Sequence, residues 1–380
     1  MKIGFDAKRA FWNQTGLGNY SRFILRGLTE FFPNEHYFYY TPNLADKKTP
    51  DFYVPSPHVH PVDLGKGWRG SFSRVMGMSS HFKKDELDIF HGLSNELPLF
   101  TGSKKTKQLV SVHDLLFLRY PAFYPALDRT IYKAKTLRAC QRADLILAIS
   151  QQTKEDLVTF LGVPDGKIQV HYQACHDQFK APLSINELPD IRAKYGLKKP
   201  YILQVGTLEE RKNALFTLQA YASNQKILSE FDLVLLGNTT PYCDKLNQFV
   251  EAQQLSQQVH FLHRSDFRDF PLLYKGASLS VYPSLFEGFG IPILEAITVG
   301  VPVITSKGGC FHEVGGDAAL YVEATSVEEF SFAMERVLFD EVYKEQMIQR
   351  GHRQAERFST SRLISELHSH YSKLLESLVI

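Results

Sequence analysis

The chain has 380 residues, more than a single hydrophobic core ordinarily serves, so two domains are expected. With 44% hydrophobic and 22% charged residues it has a globular composition, and a net charge of +2 gives no electrostatic reason to expect a nucleic-acid partner. The opening MKIGFDAKRA is charged too early for a signal peptide, and no run approaches the roughly 18 apolar residues of a membrane span, so a cytoplasmic protein is expected.

Short β-branched runs alternate with helical stretches along the whole chain. The first series places strands at 2–6 (KIGFD), 36–41 (HYFYYT), 108–112 (QLVSV), 144–149 (DLILAI) and 168–172 (IQVHY). Helical patterns cover 18–31 and 125–141. The second series places strands at 201–205 (YILQV), 232–236 (DLVLL), 258–262 (QVHFL), 278–282 (SLSVY), 301–305 (VPVIT) and 319–322 (ALYV), with helices over 212–228, 241–254 and 326–338. Several strands are apolar almost throughout, as parallel strands covered on both faces must be. Two blocks of strand-helix alternation predict two doubly wound α/β domains. The proline-rich, polar stretch 176–200 reads as the linker, with a short helix over 188–195. The tail, 341–378, reads as two amphipathic helices, the last returning to the first domain. The expected domains are 1–180, 190–358 and a helix at 359–380.

Cys140, Cys175, Cys243 and Cys310 are dispersed, without CxxC spacing, and suit reduced thiols better than a metal site or a disulfide framework. The segment 66–84, KGWRGSFSRVMGMSSHFKK, carries five Lys or Arg and no acid. With Trp68, Phe72, Val75, Met76 and Met78 it has the composition of a peripheral membrane contact, although a solvated basic face is the commoner outcome.

Open parallel sheets bind ligands at the C-terminal ends of their strands, so the loops after strands carry the chemistry. After the first strand, FDAKRAFWNQTGLGNY leads through Gly16 and Gly18 into a helix. Glycines at such a turn let backbone N–H groups approach an anion, but the third glycine of a dinucleotide fingerprint is replaced by Ser21. His113 and Asp114 follow QLVSV. The histidine can donate to a substrate hydroxyl or phosphate, with Asp114 to orient it. In the second half VGTLEERKN follows YILQV and puts Arg211 and Lys212 near a helix start, where cations imply an external anion. In SLFEGFGIPILEA, Glu287 lies on a loop and Glu295 lies eight residues on, inside the next helix, with Gly288, Gly290 and Pro292 between them. A helix N-terminus that holds phosphate, flanked by carboxylates that accept hydroxyls, fits a nucleotide-sugar.

VGTLEERKN followed by SLFEGFGIPILEA resembles the signature of glycosyltransferase family 4, the second segment being that family's E-x7-E motif. GLGNY, VHDLLFLRYP and EVGGDAALYVEA extend the resemblance over nearly the whole chain. It implies the GT-B fold, two Rossmann-like domains facing across a cleft. It also implies retaining transfer of a sugar from a nucleotide donor, without cofactor or catalytic metal; the chain contains no Asp-x-Asp. By motif match, Arg211 and Lys212 would bind the donor diphosphate, Glu295 the ribose and Glu287 the transferred sugar. Phe289, Gly290 and Ile291 would contact donor sugar and phosphate through their backbone, joined by Gly206 of VGTLEERKN. His113 would sit beside the sugar's reacting face, and Gly16 and Gly18 would line the acceptor and diphosphate side. The N-terminal stretch is similar to that of bacterial mannosyltransferases of the family, which makes GDP-mannose the first expected donor and UDP-hexoses the next. A glycan or lipid-linked glycan of surface polysaccharide synthesis is the expected acceptor. A sugar-nucleotide epimerase of the same architecture, a dinucleotide-dependent oxidoreductase and a non-catalytic nucleotide-sugar-binding subunit are the competing readings. SKGGCFHEV, 306–314, departs from the commonest family pattern, and His312 or Phe311 is expected to tune either the packing of the second domain or the donor's sugar.

Overall fold

The structure, a computed structural model, describes residues 1–44, 52–53, 55–67, 70, 73–100 and 105–376. Contacts divide the chain into two compact units. One is Met1–Ala174 together with the segment from Ser359 onward, and the other is Cys175–Phe358.

The first unit is built on a seven-stranded sheet: β1 Lys2–Asp6, β2 His36–Thr41, β3 Val59–Asp63, β4 Ile89–Gly92, β5 Lys107–Val112, β6 Leu145–Ala148 and β7 Ile168–Val170. The spatial order is β3-β2-β1-β4-β5-β6-β7, and every pairing is parallel. The second unit has six parallel strands in the order β10-β9-β8-β11-β12-β13. These are β8 Tyr201–Val205, β9 Asp232–Leu236, β10 Val259–Leu262, β11 Leu279–Tyr282, β12 Val303–Ser306 and β13 Ala319–Val322. Strands β8, β9, β11 and β12 are buried along their whole length, which accounts for their mostly apolar sequences.

In each sheet the strand order reverses direction once, between β1 and β4 and between β8 and β11. Loops leaving the two strands at such a point diverge to opposite faces and open a crevice between them. The predicted motifs of the second unit follow β8 and β11.

Two strands lie outside the sequence expectation. β3 (VHPVD) contains Pro61, which cannot donate to a ladder, and it survives because it is an edge strand. β4 (IFHG) is only four residues long, too short to show a period. The helix expected over 212–228 is instead two, Ala214–Ala222 and Gln225–Glu230, because the Asn224 side chain accepts from the N–H groups of Lys226 and Ile227 and starts a new helix.

The terminal helix, Thr360–Glu376, buries Leu363, Ile364, Leu367 and Tyr371. It packs on the Gly16–Phe31 helix of the first unit, where a Cβ at Gly27 would lie 2.5 Å from Ile364. Of the 66–84 segment, Trp68 and Phe72 lie outside the described residues, as does the Val75 side chain. The described part does not present an apolar face: Met78 and Phe82 are buried in a cluster with Tyr40 and Phe90. Arg74 is held by Asp6 at 2.6 Å and Glu96 at 2.9 Å. Met78, Phe82 and Arg74 are thus engaged within the first unit, while Lys66, Lys83 and Lys84 are exposed.

Candidate active site

In the second unit Arg211, Lys212 and Glu287 converge. Arg211 and Lys212 lie on a short 3-10 turn, Glu210–Lys212, and not in the following helix; Asn213, at φ +58°, separates the turn from Ala214. Glu287 arrives from the loop after β11. Its Oε1 lies 2.6 Å from Arg211 Nη1 and 2.6 Å from Lys212 Nζ, and accepts from Ser284 Oγ at 2.5 Å. The Arg211 guanidinium also donates to the Phe286 carbonyl at 2.8 Å and to Glu209 at 2.6 Å. Lys212 donates to the Tyr282 hydroxyl at 2.7 Å.

These side chains are 12–17% exposed, deep enough for Coulomb forces to be screened much less than in bulk water and open enough for a ligand to reach them. Burial alone would raise the Glu287 pKa, but Lys212 and Arg211 outweigh it and hold the carboxyl at about 2. Burial also opposes the Arg211 charge, and the field of Glu287 outweighs it. Lys212 is different: burial pulls its pKa down, and Arg211 repels it, while Glu287 compensates only in part. One ionised carboxylate is thus shared between two cations. Glu209, 40% exposed, pairs with Arg211 as well, so an incoming anion would compete with the two carboxylates for the two cations.

The loop leading out of Glu287 is pinned from behind. Cys310 Sγ lies 2.8 Å from the Phe289 carbonyl oxygen and 3.3 Å from that of Glu287. Burial drives this thiol's pKa upward, so it remains an S–H donor. The C=O and N–H of a trans peptide point in opposite directions, so the clamp turns the Gly290 N–H away from Cys310. Gly290 caps the Ile291–Thr298 helix at φ +113°, a conformation that only glycine adopts without strain. Phe311 lies beneath this turn and meets Tyr282 edge-on at 6.0 Å, and His312 stacks on Tyr321 at 3.5 Å. Both are packing residues of the second unit. Gly206, at φ +146°, ends β8 with the Lys212 side chain alongside.

Glu295 has a separate environment. It is buried and accepts one hydrogen bond, from Tyr274 at 3.0 Å, and burial raises its pKa from near 4.5 to about 7. An under-bonded carboxylate of this kind can accept two O–H groups of a vicinal diol. It has a cost in the protein alone. In the unfolded chain Glu295 ionises near pH 4.5, whereas the folded protein holds the proton until about pH 7. Its contribution is therefore fully favourable below pH 4.5 and is lost as pH rises through 7. The difference corresponds to about 3 kcal/mol at pH 8. Glu295→Gln is expected to stabilise the protein by up to that amount at pH 8 and much less at pH 5. Urea denaturation at the two pH values measures it, and an equal gain at both would contradict the linkage.

In the first unit His113 directly follows β5. Its ring is buried, shares a hydrogen bond from Nε2 to the Leu93 carbonyl at 2.8 Å, and meets Tyr20 edge-on at 4.6 Å. Burial lowers its pKa to about 4, so it is neutral. With Nε2 committed as donor, Nδ1 is left as an acceptor. An Asp114 carboxylate oxygen accepts from the Leu116 N–H, and the Leu93 carbonyl holds the imidazole through Nε2. Gly16 and Gly18 open the helix Gly16–Phe31. A Cβ on Gly18 would lie 1.9 Å from the Asn13 carbonyl oxygen, and the Gly18 N–H donates to Asn13 Oδ1. Nothing lies within 4 Å of a Cβ placed on Gly16. A cavity of about 220 Å³ lies between Asp6 at the end of β1, the 96–99 loop and the helix Ala126–Arg142.

Sequence reasoning missed Tyr282, Ser284, Glu209, Tyr274 and Cys310. Tyr282 reads as one more apolar strand residue, and only its position next to the loop pointed to it. Among the described residues no cluster of His, Cys, Asp and Glu suits a metal ion, and no helix is long and apolar enough to cross a membrane.

Residues 16–177 match the family model of glycosyltransferase family 4, and residues 188–354 that of the group 1 glycosyl transferases. The O-antigen chain mannosyltransferase B of Escherichia coli is 33% identical over 274 residues, 71% of this chain and 70% of that protein. The O-antigen chain mannosyltransferase RfbU of Salmonella typhimurium is 30% identical over 231 residues, 60% of each chain. Among solved structures, sucrose-phosphate synthase from Thermosynechococcus elongatus superposes with a TM-score of 0.78 at 18% identity, covering 99% of this chain and all of the other. Anabaena Alr3699/HepE in complex with UDP-glucose superposes with a TM-score of 0.75 at 16% identity, covering 98% and 100%. The fold is GT-B. With both of its halves matched in order and a relative of this similarity aligned over most of its length, the chain belongs to glycosyltransferase family 4 and is a glycosyltransferase.

Proposed function

We propose that this enzyme transfers mannose, with retention, from GDP-mannose to a hydroxyl of a surface-polysaccharide glycan. The observation that carries the reading is the Arg211–Lys212–Glu287 cluster at the switch point of the second sheet. The donor diphosphate would lie against Arg211 and Lys212, close to the Gly290 N–H. Glu295 would accept the ribose hydroxyls, and Glu287 Oε2 the hydroxyls of the transferred sugar. The mannose assignment is supported by the two O-antigen chain mannosyltransferases, and a nucleotide-sugar donor by the UDP-glucose complex of a protein with the same fold.

The acceptor belongs to the first unit in this reading. The cavity beside Asp6 offers carboxylates, Asp6 and Glu96, for glycan hydroxyls. It also offers Arg138 and Arg142, which have no carboxylate partner among the described residues. Such a lining suits a glycan that carries its own negative charge.

Breaking the sugar–phosphate bond leaves negative charge on the diphosphate, and preorganised cations stabilise that charge as it develops. A carboxylate already neutralised by two cations is a poor nucleophile, so Glu287 is ill suited to a double displacement. A route led by departure of the leaving group, with the acceptor arriving on the same face, fits the geometry better.

A thermal-shift panel tests the donor. At a hundredfold excess over Kd, a bound nucleotide-sugar stabilises by about 2.7 kcal/mol, and GDP-mannose is expected to give the largest shift, ahead of UDP-hexoses. Labelled sugar appearing in glycan only when acceptor is supplied completes the assignment. Donor conversion without acceptor would instead indicate the epimerase reading.

A further inference from the structure

The buried interior of the first unit contains a chain of polar side chains that no proposed step uses. Tyr371, on the terminal helix Thr360–Glu376, shares a hydrogen bond of 2.7 Å with His91 Nδ1. His91 Nε2 shares one of 2.8 Å with Ser111 Oγ, and Ser111 Oγ shares one of 2.7 Å with the Tyr20 hydroxyl. All four residues are at most 1% exposed. The Tyr20 ring then stands edge-on to His113, at 89° and 4.6 Å.

The topology explains why these residues meet. His91 is on β4 and Ser111 on its neighbour β5, and His113 follows Ser111 by two residues. Side chains two apart along an extended strand point to the same face. The Gly16–Phe31 helix, which carries Tyr20, packs against the terminal helix, which carries Tyr371. Apolar side chains of similar volume would fill this core without the desolvation that four polar groups incur. The polar set is tolerated because each member satisfies the next, and such networks hold their members in one geometry.

We infer that Tyr371 is a positioning residue: through His91, Ser111 and Tyr20 it anchors the N-terminal part of the Gly16–Phe31 helix and, with the Leu93 carbonyl, sets the ring plane of His113. The terminal helix, distant in sequence from every motif, thereby becomes part of the first unit's working geometry. The inference rests on His113 lying at the reacting sugar.

The test uses the full-length protein with 13C-labelled histidine. The variants are Tyr371→Phe, Ser111→Ala, their double, and His368→Ala. The last loosens the same helix elsewhere, since His368 stacks on Phe32 at 3.7 Å and bonds Glu35. The His113 ring signal, assigned with His113→Gln, is expected to move in Tyr371→Phe and Ser111→Ala and to stay in place in His368→Ala. In transfer assays each of the first two variants is expected to lower kcat about tenfold with the donor KM within about twofold, and the double no further, because members of one network are not additive. An unmoved His113 signal in Tyr371→Phe overturns the inference whatever the transfer result. So does an equal effect of His368→Ala, or losses that multiply in the double. Loss of nucleotide binding in the wild-type chain would instead strike at the proposed function, which the ring signal does not depend on.

Discussion

Replacing Arg211 with alanine is expected to lower kcat by about 10²–10³-fold, the usual loss when one preorganised donor is removed from a developing negative charge. The fold should withstand the change. Lys212 still neutralises Glu287 at 2.6 Å, and the largest structural loss is the bond to the Phe286 carbonyl. That carbonyl also accepts from Ser284 Oγ at 3.4 Å, so the loss is one hydrogen bond from a charged donor, about 1.5–3 kcal/mol. Arg211→Lys should recover only part of the activity. It restores charge, but not the planar fork that reaches Glu287, Glu209 and Phe286 together. Single-turnover transfer measured beside circular dichroism separates the two effects. Folded Arg211→Ala protein with wild-type turnover would remove Arg211 from the reaction and with it the central proposal.

The contrast between Arg211 and its neighbours shows what the sequence carries. Buried parallel strands are written as apolar runs, and β8, β9, β11 and β12 were legible for that reason. β3 was not, because Pro61 contradicts a strand everywhere except at a sheet edge, and the edge is a property of the assembled sheet. At the site, residue types were legible and their partners were not. Arg211, Lys212 and Glu287 stood out as charged residues in loops after strands. That one carboxylate bridges both cations depends on β8 and β11 being neighbours, and 75 residues separate Lys212 from Glu287. The clamp on His113 is a backbone carbonyl, Leu93, and a carbonyl has no signature in sequence. Tyr282 illustrates the same limit from another side. Its ring belongs to the strand's apolar pattern, while its hydroxyl belongs to the ion cluster.

That bridging geometry changes what is expected of Glu287. A carboxylate standing apart in its loop could be deleted without harm to the fold. As the carboxylate 2.6 Å from both Lys212 and Arg211 it cannot: Glu287→Ala leaves the Lys212 ammonium without its carboxylate and Arg211 with the more exposed Glu209, and breaking a buried pair costs about 3–5 kcal/mol. Glu287→Gln is the informative variant, because an amide oxygen can still accept from Ser284, Lys212 and Arg211 while the negative charge is gone. Transfer should fall by about 10²-fold, the scale on which misplacement of a reacting group is felt. Affinity for the nucleoside diphosphate should move the other way. Glu287 and a diphosphate draw on the same two cations, so removing the internal anion leaves more of their field for the external one. A tenfold tighter Kd, about 1.4 kcal/mol, is the expected scale. Salt should weaken binding more steeply in the variant, because the added attraction is Coulombic. Calorimetric titration of GDP into wild-type and Glu287→Gln protein at two ionic strengths decides it. Weaker or unchanged binding in the variant would mean that the diphosphate does not meet Arg211 and Lys212 where Glu287 does, and the donor would have to be placed elsewhere on the second unit.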